Sequence, residues 1–249
     1  MKKLLLSCLA VCLLSSLSAK KPVCLYLIGD ETMADVSMID GESESAIGWG
    51  QVFPTYVTSD LRVENHAVAG ASTKSYVEDG HWAVVLDRAK RGSIVLIQLA
   101  LNDIEPDDAA HYATIDVMED HLTTMIAEAK KKGLTVVLLT PVSRYFFQSS
   151  TFYHRLGGYP EGIRRVAQRY EVPMVDVEKM TAAKWEALGE EGARKMFVEG
   201  SDVKLTSEGA LTVGGLVARE LQELNVKAIT KYLKTANGTI YTQPWKDAE

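Results

Sequence analysis

Side chains that can do chemistry follow three of the apolar segments of this 249-residue chain. The first segment ends in Gly29-Asp30-Glu31, the second is followed by Gly70, and the third is followed by Asn102. A tight turn after a buried strand is where many α/β enzymes present a nucleophile. Here that place holds a carboxylate, which acts as a general acid or base rather than as the hydroxyl or thiol of acyl transfer.

The elements that must position these groups are five apolar runs, which alternate with helical patterns. The runs predicted as strands are residues 23–28, 61–67, 93–99, 134–139 and 174–177. Continuous apolar runs are typical of parallel strands buried on both faces. The sequence therefore predicts one doubly wound α/β domain, a flavodoxin-like three-layer sandwich with a mainly parallel five-stranded sheet. The loops at 29–35, 69–76 and 100–108 should then meet at the carboxyl edge of the sheet.

The helical predictions vary in the strength of their pattern. The period of 3.6 is clearest over 115–132, where the last turn carries three lysines before Gly133. An amphipathic helix is predicted after Gly48 and runs to about residue 59, and the segment 74–90 is predicted as a loop and a helix. Further helices are predicted at 160–170, 182–188 and 209–223. The last of these extends towards 226–234. The segment 144–158 is irregular and aromatic.

The N-terminus predicts a secretory signal peptide. Lys2 and Lys3 precede the apolar run 4–17, and small residues up to Ala19 mark a cleavage site. The run is shorter than the roughly 20 apolar residues that a membrane span needs. The chain divides into a signal peptide (1–19), a globular domain (22–235) and a polar C-terminal tail (236–249). We expect an exported bacterial protein, periplasmic or extracellular, with no membrane association after cleavage.

The composition and charge of the chain bear on which partners, disulfides and metal ions it could have. Lys and Arg total 27 against 33 Asp and Glu, a net charge of −6 that argues against nucleic acid as a partner. Only Cys24 remains after the leader, so we expect no intrachain disulfide. The five histidines lack metal-ligand spacing. We therefore expect no metal site. We also predict no other cofactor, and a monomer.

Together, the order of these motifs resembles the SGNH (GDSL-type) hydrolases, and in particular the rhamnogalacturonan acetylesterase branch. The resemblance covers roughly residues 22–224 and implies the same fold and a pectin- or rhamnogalacturonan-type oligosaccharide as ligand. The segments that carry it are Gly48-Trp49-Gly50-Gln51, 65–76, His81-Trp82, Leu139-Thr140-Pro141-Val142 with Arg144, Tyr159-Pro160-Glu161, Val166-Ala167, Val172-Pro173 with Asp176, and Leu205-Thr206 followed by Gly209-Ala210.

The resemblance also implies roles for particular positions. In the family a Ser after Gly-Asp attacks the ester, and a late His, oriented by an Asp three residues before it, takes the proton. Carried over, these positions hold Glu31, Lys204 and Ser201. The oxyanion-hole positions keep Gly70 and Asn102, with the backbone N–H of residue 31 as the third donor. All three triad positions are thus substituted, while the oxyanion hole remains.

Two further sequence features and one expected contact concern the substituted triad and the oxyanion hole. Asp202 lies one position from the expected orienting acid, and Ala100-Leu101 stand where the family commonly shows Gly-His. Since nucleophile and base lie within hydrogen-bond reach in the family, Glu31 and Lys204 should face each other. We expect them to form an ion pair in which each compensates the buried charge of the other.

Three functions stay open at this stage. The first is a non-catalytic protein that binds pectin-type glycans. The second is a repurposed glycosidase or lyase with Glu31 as general acid or base, and Asp202 or Asp30 as a second carboxylate. The third is a residual acetylesterase that uses Ser72 or bound water, although Ser72 reads better as a polar loop residue. The aromatic residues within 145–153 fit stacking on a sugar ring or core packing equally well.

Overall fold

The computed structural model describes residues 23–37, 45–236 and 239–240, and its centre is a parallel sheet. In chain order the strands are β1 (Val23–Gly29), β2 (Leu61–Asn65), β3 (Ile94–Gln98), β4 (Thr135–Leu139), β5 (Phe147–Gln148), β6 (Thr151–Phe152), β7 (Met174–Val175), β8 (Thr235–Ala236) and β9 (Thr239–Ile240). Five of them form the sheet in the order β2-β1-β3-β4-β7, and all its pairings are parallel. β5–β6 and β8–β9 form two short antiparallel hairpins.

The helices cover both faces of this sheet. They are α1 (Trp49–Val52), α2 (Thr73–Glu78), α3 (His81–Arg88), α4 (Ile115–Lys132), α5 (Tyr159–Arg169), α6 (Val177–Arg194), α7 (Ser207–Glu223) and α8 (Lys227–Thr230), with a 3-10 helix (Phe53–Tyr56) after α1. One apolar cluster joins the sheet to α1, α6, α7 and α8, and a second joins it to α2, α3, α4 and α5. The predicted doubly wound, three-layer α/β fold is confirmed.

The central strand β3 explains why the chain folds around this sheet. All five of its residues are buried, because helices cover it above and below. β1 lies between β2 and β3, and Leu25 pairs with Val63 on one side and Ile94 on the other. The carboxyl ends of these three strands therefore lie side by side, as the loop prediction requires.

The helix predicted over residues 115–132 is confirmed to the residue. Thr114 caps its N-terminus by accepting a hydrogen bond from the Val117 N–H. Gly133 ends it in the left-handed conformation (φ 77°), which glycine adopts without steric cost. Met118, Leu122 and the other apolar residues of its inner face are buried against the sheet.

Several boundaries differ from the prediction. The helix predicted from Gly48 to about residue 59 ends as α-helix at Val52, because Pro54 lacks an N–H and turns the next residues into a 3-10 helix. The segment 144–158 contains the β5–β6 hairpin. α6 is much longer than the predicted 182–188, and its backbone breaks at Gly189 (φ 68°). The extension after α7 is the separate short helix α8.

The predicted signal peptide lies outside the described residues, as does most of the polar C-terminal tail. The division into these segments and one globular domain stays a prediction. Among the helices of the described part of the chain, none is both long and apolar enough to cross a membrane.

Candidate functional site

The turn that carries Glu31 is fixed by its contact with α1. The backbone N–H of Trp49 donates to the carbonyl oxygen of Thr32 at 2.8 Å. A side chain at Gly48 would overlap the carbonyl oxygen of Ala34, so glycine is required for this close approach. The Gly48-Trp49 motif therefore holds the turn at the carboxyl end of β1.

The carboxylate of Glu31 joins the loops that follow three strands. Its Oε2 accepts a hydrogen bond from the backbone N–H of Gly70 at 3.1 Å and another from Nδ2 of Asn102 at 2.8 Å. The predicted convergence of the three loops is confirmed. Two N–H groups that point at one anionic oxygen are the arrangement of an oxyanion hole, and here a side chain of the protein occupies it.

The two donors are held in place by backbone contacts of their own. The Val68 N–H donates to the carbonyl oxygen of Gly29 (2.9 Å), which ties the second loop to β1. Gly70 has φ +79°, a conformation that directs its N–H towards Glu31 and that favours glycine. Nδ2 of Asn102 also donates to the carbonyl oxygen of Ala71 (3.1 Å). The donor pair is thus organised by the fold before any ligand arrives.

Asp30, next to Glu31, is completely buried and does not face the cleft. Its Oδ1 accepts hydrogen bonds from the N–H (2.9 Å) and hydroxyl (2.6 Å) of Thr32, whose Oγ1 accepts one from Gln98 Nε2. Its Oδ2 is buried and has no hydrogen-bond partner among the described residues. Burial first, and then the charge of Glu31, raise the pKa of Asp30 to about 8. Burial therefore favours the protonated form of this carboxyl group.

Ser201 and Lys204 lie in the loop between α6 and α7. Oγ of Ser201 accepts hydrogen bonds from the N–H groups of Lys204 (2.9 Å) and Val203 (3.2 Å), so its hydroxyl closes the local turn. The salt bridges between described residues do not include the expected pair of Glu31 and Lys204, which stays a prediction. The carboxylate is satisfied by the two N–H donors, and Lys204 makes a further interaction of its own.

Arg144 connects the loop after β3 to the loop of Asp202. Its Nη1 lies 3.4 Å from Oδ2 of Asp202, and its Nη2 donates to the carbonyl oxygen of Leu101 at 3.4 Å. Glu105 lies 3.7 Å from the same guanidinium. Asp202 is therefore engaged by a cation on the rim of the site rather than aimed at Glu31. Sequence analysis gave Arg144 only a place in a motif, because a long-range bridge leaves no local signal.

Ser72, the alternative nucleophile, caps α2. Its side chain is buried, and Oγ accepts a hydrogen bond from the Ser75 N–H at 3.1 Å. The Ser75 hydroxyl lies 3.3 Å from the same Oγ. The hydroxyl of Ser72 is thus committed to the helix N-terminus and is shielded from solvent.

Backbone strain occurs two residues before Asn102. Ala100 is fully buried and has φ +85°, in the left-handed region that side chains other than glycine rarely adopt. The family resemblance places Gly at this position, and glycine adopts a positive φ without steric cost. Ala100 keeps that backbone conformation although its side chain disfavours it. The signal for this strain was in the sequence, in the replacement of Gly-His by Ala100-Leu101.

The described residues contain no group of three or more His, Cys, Asp or Glu side chains that could hold a metal ion.

The fold and these groups define a class of protein. A parallel sheet in the order β2-β1-β3-β4-β7, with two preorganised N–H donors at its carboxyl edge, is the framework of an α/β acyl hydrolase. The chain belongs to the GDSL-like lipase/acylhydrolase family, whose profile matches residues 27–210.

Two similar relatives are named for the same activity. The chain is 33% identical to the rhamnogalacturonan acetylesterase RhgT of Bacillus subtilis, over 83% of this chain and 93% of that protein. It is 28% identical to a rhamnogalacturonan acetylesterase of Emericella nidulans, over 76% of this chain and 81% of the relative. The resemblance to rhamnogalacturonan acetylesterases is thereby supported along almost the whole described chain.

Solved structures agree on the fold. The crystal structure of protein YXIM from Bacillus subtilis superposes with a TM-score of 0.75 at 24% identity, over 83% of this chain. The present chain spans 58% of the length of that structure. The acetyl xylan esterase AlAXEase superposes with a TM-score of 0.59 at 15% identity, over 78% of this chain and 98% of the other.

Proposed function

We propose that this protein is an exported member of its family that binds pectin-type carbohydrate of the rhamnogalacturonan class and does not hydrolyse acetyl esters through a serine nucleophile. The ligand class is supported by the names of the similar relatives. Export is supported by the leader pattern of residues 1–19. The single observation that carries the loss of esterase chemistry is the Glu31 carboxylate on the Gly70 and Asn102 donors.

That arrangement opposes ester hydrolysis in two ways. Acyl transfer needs a hydroxyl or thiol activated by a base, and the position after Asp30 offers neither. It also needs empty donors for the oxyanion that forms in the transition state, and two of the three, those of Gly70 and Asn102, are occupied by Oε2 of Glu31. An ester carbonyl could reach them only by displacing an ionised carboxylate from charge-assisted hydrogen bonds.

A glycosidase or lyase that uses Glu31 receives less support. Glycoside hydrolysis needs a second carboxyl group that faces the bond. Asp30 is fully buried against Thr32, and Asp202 is bound by Arg144. A residual esterase that uses Ser72 is supported still less, because that hydroxyl is a buried helix cap.

The decisive experiment measures binding and turnover on the same glycans. We expect the purified wild type to bind rhamnogalacturonan oligosaccharides in calorimetry while it releases no acetate from their acetylated form or from p-nitrophenyl acetate. The triple variant Glu31→Ser/Ser201→Asp/Lys204→His should gain acetyl release. The single variant Glu31→Ser, which empties the donors but supplies no base, should remain inactive and serves as the matched control.

Other outcomes would favour the alternatives. Acetate release by the wild type that Ser72→Ala abolishes would support the residual esterase. New saccharide products from deacetylated rhamnogalacturonan, lost in Glu31→Gln, would support the repurposed enzyme. A triple variant that folds but stays inactive would contradict the assignment of Glu31, Ser201 and Lys204 to the triad positions.

A further inference from the structure

The β5–β6 hairpin begins at the candidate site. Arg144, which contacts the carbonyl oxygen of Leu101 in the loop of Asn102, is followed by Tyr145, whose N–H donates to the carbonyl oxygen of Asp202 at 2.8 Å. Phe146 is the next residue, so it lies within about 7 Å of Arg144 along an extended chain. A polymer that lies across the site can therefore reach the hairpin.

The aromatic residues of this hairpin divide between two environments. Phe147 and Phe152 pack edge to face at 5.3 Å and belong to the core side, where Phe152 is buried. Phe146 and Tyr153 pair at 6.3 Å, and Tyr153 is 45% exposed. The Tyr153 N–H donates to the Phe146 carbonyl oxygen at 3.0 Å, which fixes the pair. The core accounts for the inner pair but leaves the face of Tyr153 open.

Arg155 completes the outer face. Its guanidinium carbon lies 4.5 Å from the centroid of the Phe146 ring, a cation–π contact that orients the side chain. Among the described residues no carboxylate lies within 4.0 Å of it. Arg144 and Arg164, by contrast, each bind two or more carboxylates of the protein. Arg155 therefore presents an oriented positive charge whose edge can accept a planar anion.

We propose that the outer face of the hairpin, formed by Phe146, Tyr153 and Arg155, binds a uronate residue of an acidic polysaccharide. The apolar face of the sugar ring lies on the Tyr153 ring, and the carboxylate receives two parallel N–H bonds from Arg155. A guanidinium can stack on an aromatic ring and bind a carboxylate at its edge at the same time. This subsite rests on the proposed function, because it names how the glycan-binding surface recognises the acidic sugar.

The test compares two ligands and two kinds of variant. The ligands are deacetylated rhamnogalacturonan oligosaccharides and the same oligosaccharides with their carboxyl groups chemically reduced to alcohols. We expect Arg155→Gln to weaken binding of the acidic form about tenfold, the effect of one charge-assisted contact, and to leave the reduced form unchanged. Tyr153→Ala should weaken binding of both forms, whereas Tyr153→Phe should retain it.

Matched controls separate this effect from a general change of surface. Arg219→Gln removes an exposed arginine on α7, and Val84→Ala trims an exposed apolar residue on α3. Neither should change the affinity of either ligand. Equal thermal midpoints of all variants would show that the fold is intact, as expected for exposed positions.

The outcomes distinguish the subsite from the function. If the wild type binds the oligosaccharides and the hairpin variants bind equally well, the subsite is overturned while the proposed function stands. If Tyr153→Ala weakens binding but the acidic and reduced forms bind equally to the wild type, the role of Arg155 is overturned. If the wild type binds no oligosaccharide, both proposals fall.

Discussion

At the scale of single residues, one carboxylate oxygen determines the character of the site. Oε2 of Glu31 accepts from Gly70 and Asn102, the two donors that the family resemblance assigns to an oxyanion. Such donors are preorganised by the fold, so they favour negative charge whether it comes from a transition state or from a side chain. The substitution thus converts a transient electrostatic interaction into a permanent one.

This interpretation predicts that Glu31→Ala creates an acetate site. Removal of the side chain leaves two oriented N–H donors, and the carboxylate of free acetate can take the place of Oε2. Acetate at ten times its dissociation constant should raise the free energy of unfolding of the variant by about 1.4 kcal/mol. The measurement is the urea midpoint in acetate against chloride at equal ionic strength.

Two control proteins test whether acetate stabilises the variant through this site. The wild type should show no acetate-specific stabilisation, because Glu31 already fills the donors. The double variant Glu31→Ala/Asn102→Ala, which lacks one donor, should lose most of the effect. Equal stabilisation of the wild type and the single variant would mean that acetate binds elsewhere.

At the scale of elements, the hydrophobic pattern predicted the strands and helices whose formation depends on the local sequence. The apolar runs predicted the five sheet strands, and the helical period with the glycine stop predicted α4. The helix predicted after Gly48 was too long, because its apolar period continues past Pro54, which cannot continue the α-helix. The β5–β6 hairpin was missed because strands of two residues carry too little alternation to register as a pattern.

The end of β3 yields a prediction about backbone strain. Ala100 has φ +85°, a conformation that costs a residue with a side chain about 1–2 kcal/mol and glycine little. Ala100→Gly relieves this strain while it removes a buried methyl and adds freedom to the unfolded chain. We expect the free energy of unfolding to change by less than about 1 kcal/mol, since these effects oppose each other.

The control for this prediction is Ala129→Gly in the buried face of α4. That residue has ordinary helical geometry, so the same substitution should cost about 1 kcal/mol in helix propensity, in addition to the lost methyl. Chemical unfolding of both variants gives the comparison. Equal losses at the two positions would show that the left-handed conformation of Ala100 carries no strain.

At the scale of the whole molecule, the sequence predicted which loops meet but not how their side chains pair. Parallel topology alone brings the loops of Glu31, Gly70 and Asn102 together, and the structure confirms this. The hydrogen bonds of the Glu31 side chain to Gly70 and Asn102 were missed, because the partner of a carboxylate depends on donors contributed by distant loops. No local pattern records that two N–H groups already satisfy Oε2, or that Arg144 holds Asp202.

The buried carboxyl of Asp30 predicts how the stability of the whole molecule depends on pH. Its pKa is about 8 in the folded state against an ordinary value of 3.8, so between these values the unfolded chain binds fewer protons than the folded one. The contribution of Asp30 to stability is therefore complete below about pH 4 and is lost as pH rises towards 8. At most this lowers the free energy of unfolding by about 1.4 kcal/mol per pH unit.

Asp30→Asn isolates this contribution, because asparagine keeps the shape of the protonated acid and its acceptor for Thr32 but cannot ionise. Relative to the wild type, the variant should gain stability steadily between pH 5 and pH 8, by up to about 1.4 kcal/mol per pH unit. Urea unfolding at several pH values measures the difference, and Asp87→Asn, an exposed carboxyl on α3, is the matched control. Parallel curves for wild type and Asp30→Asn would contradict a proton held on Asp30. A stability difference between Asp30→Asn and the wild type that grows with pH, and that Asp87→Asn does not reproduce, would show that the folded protein binds a proton at Asp30.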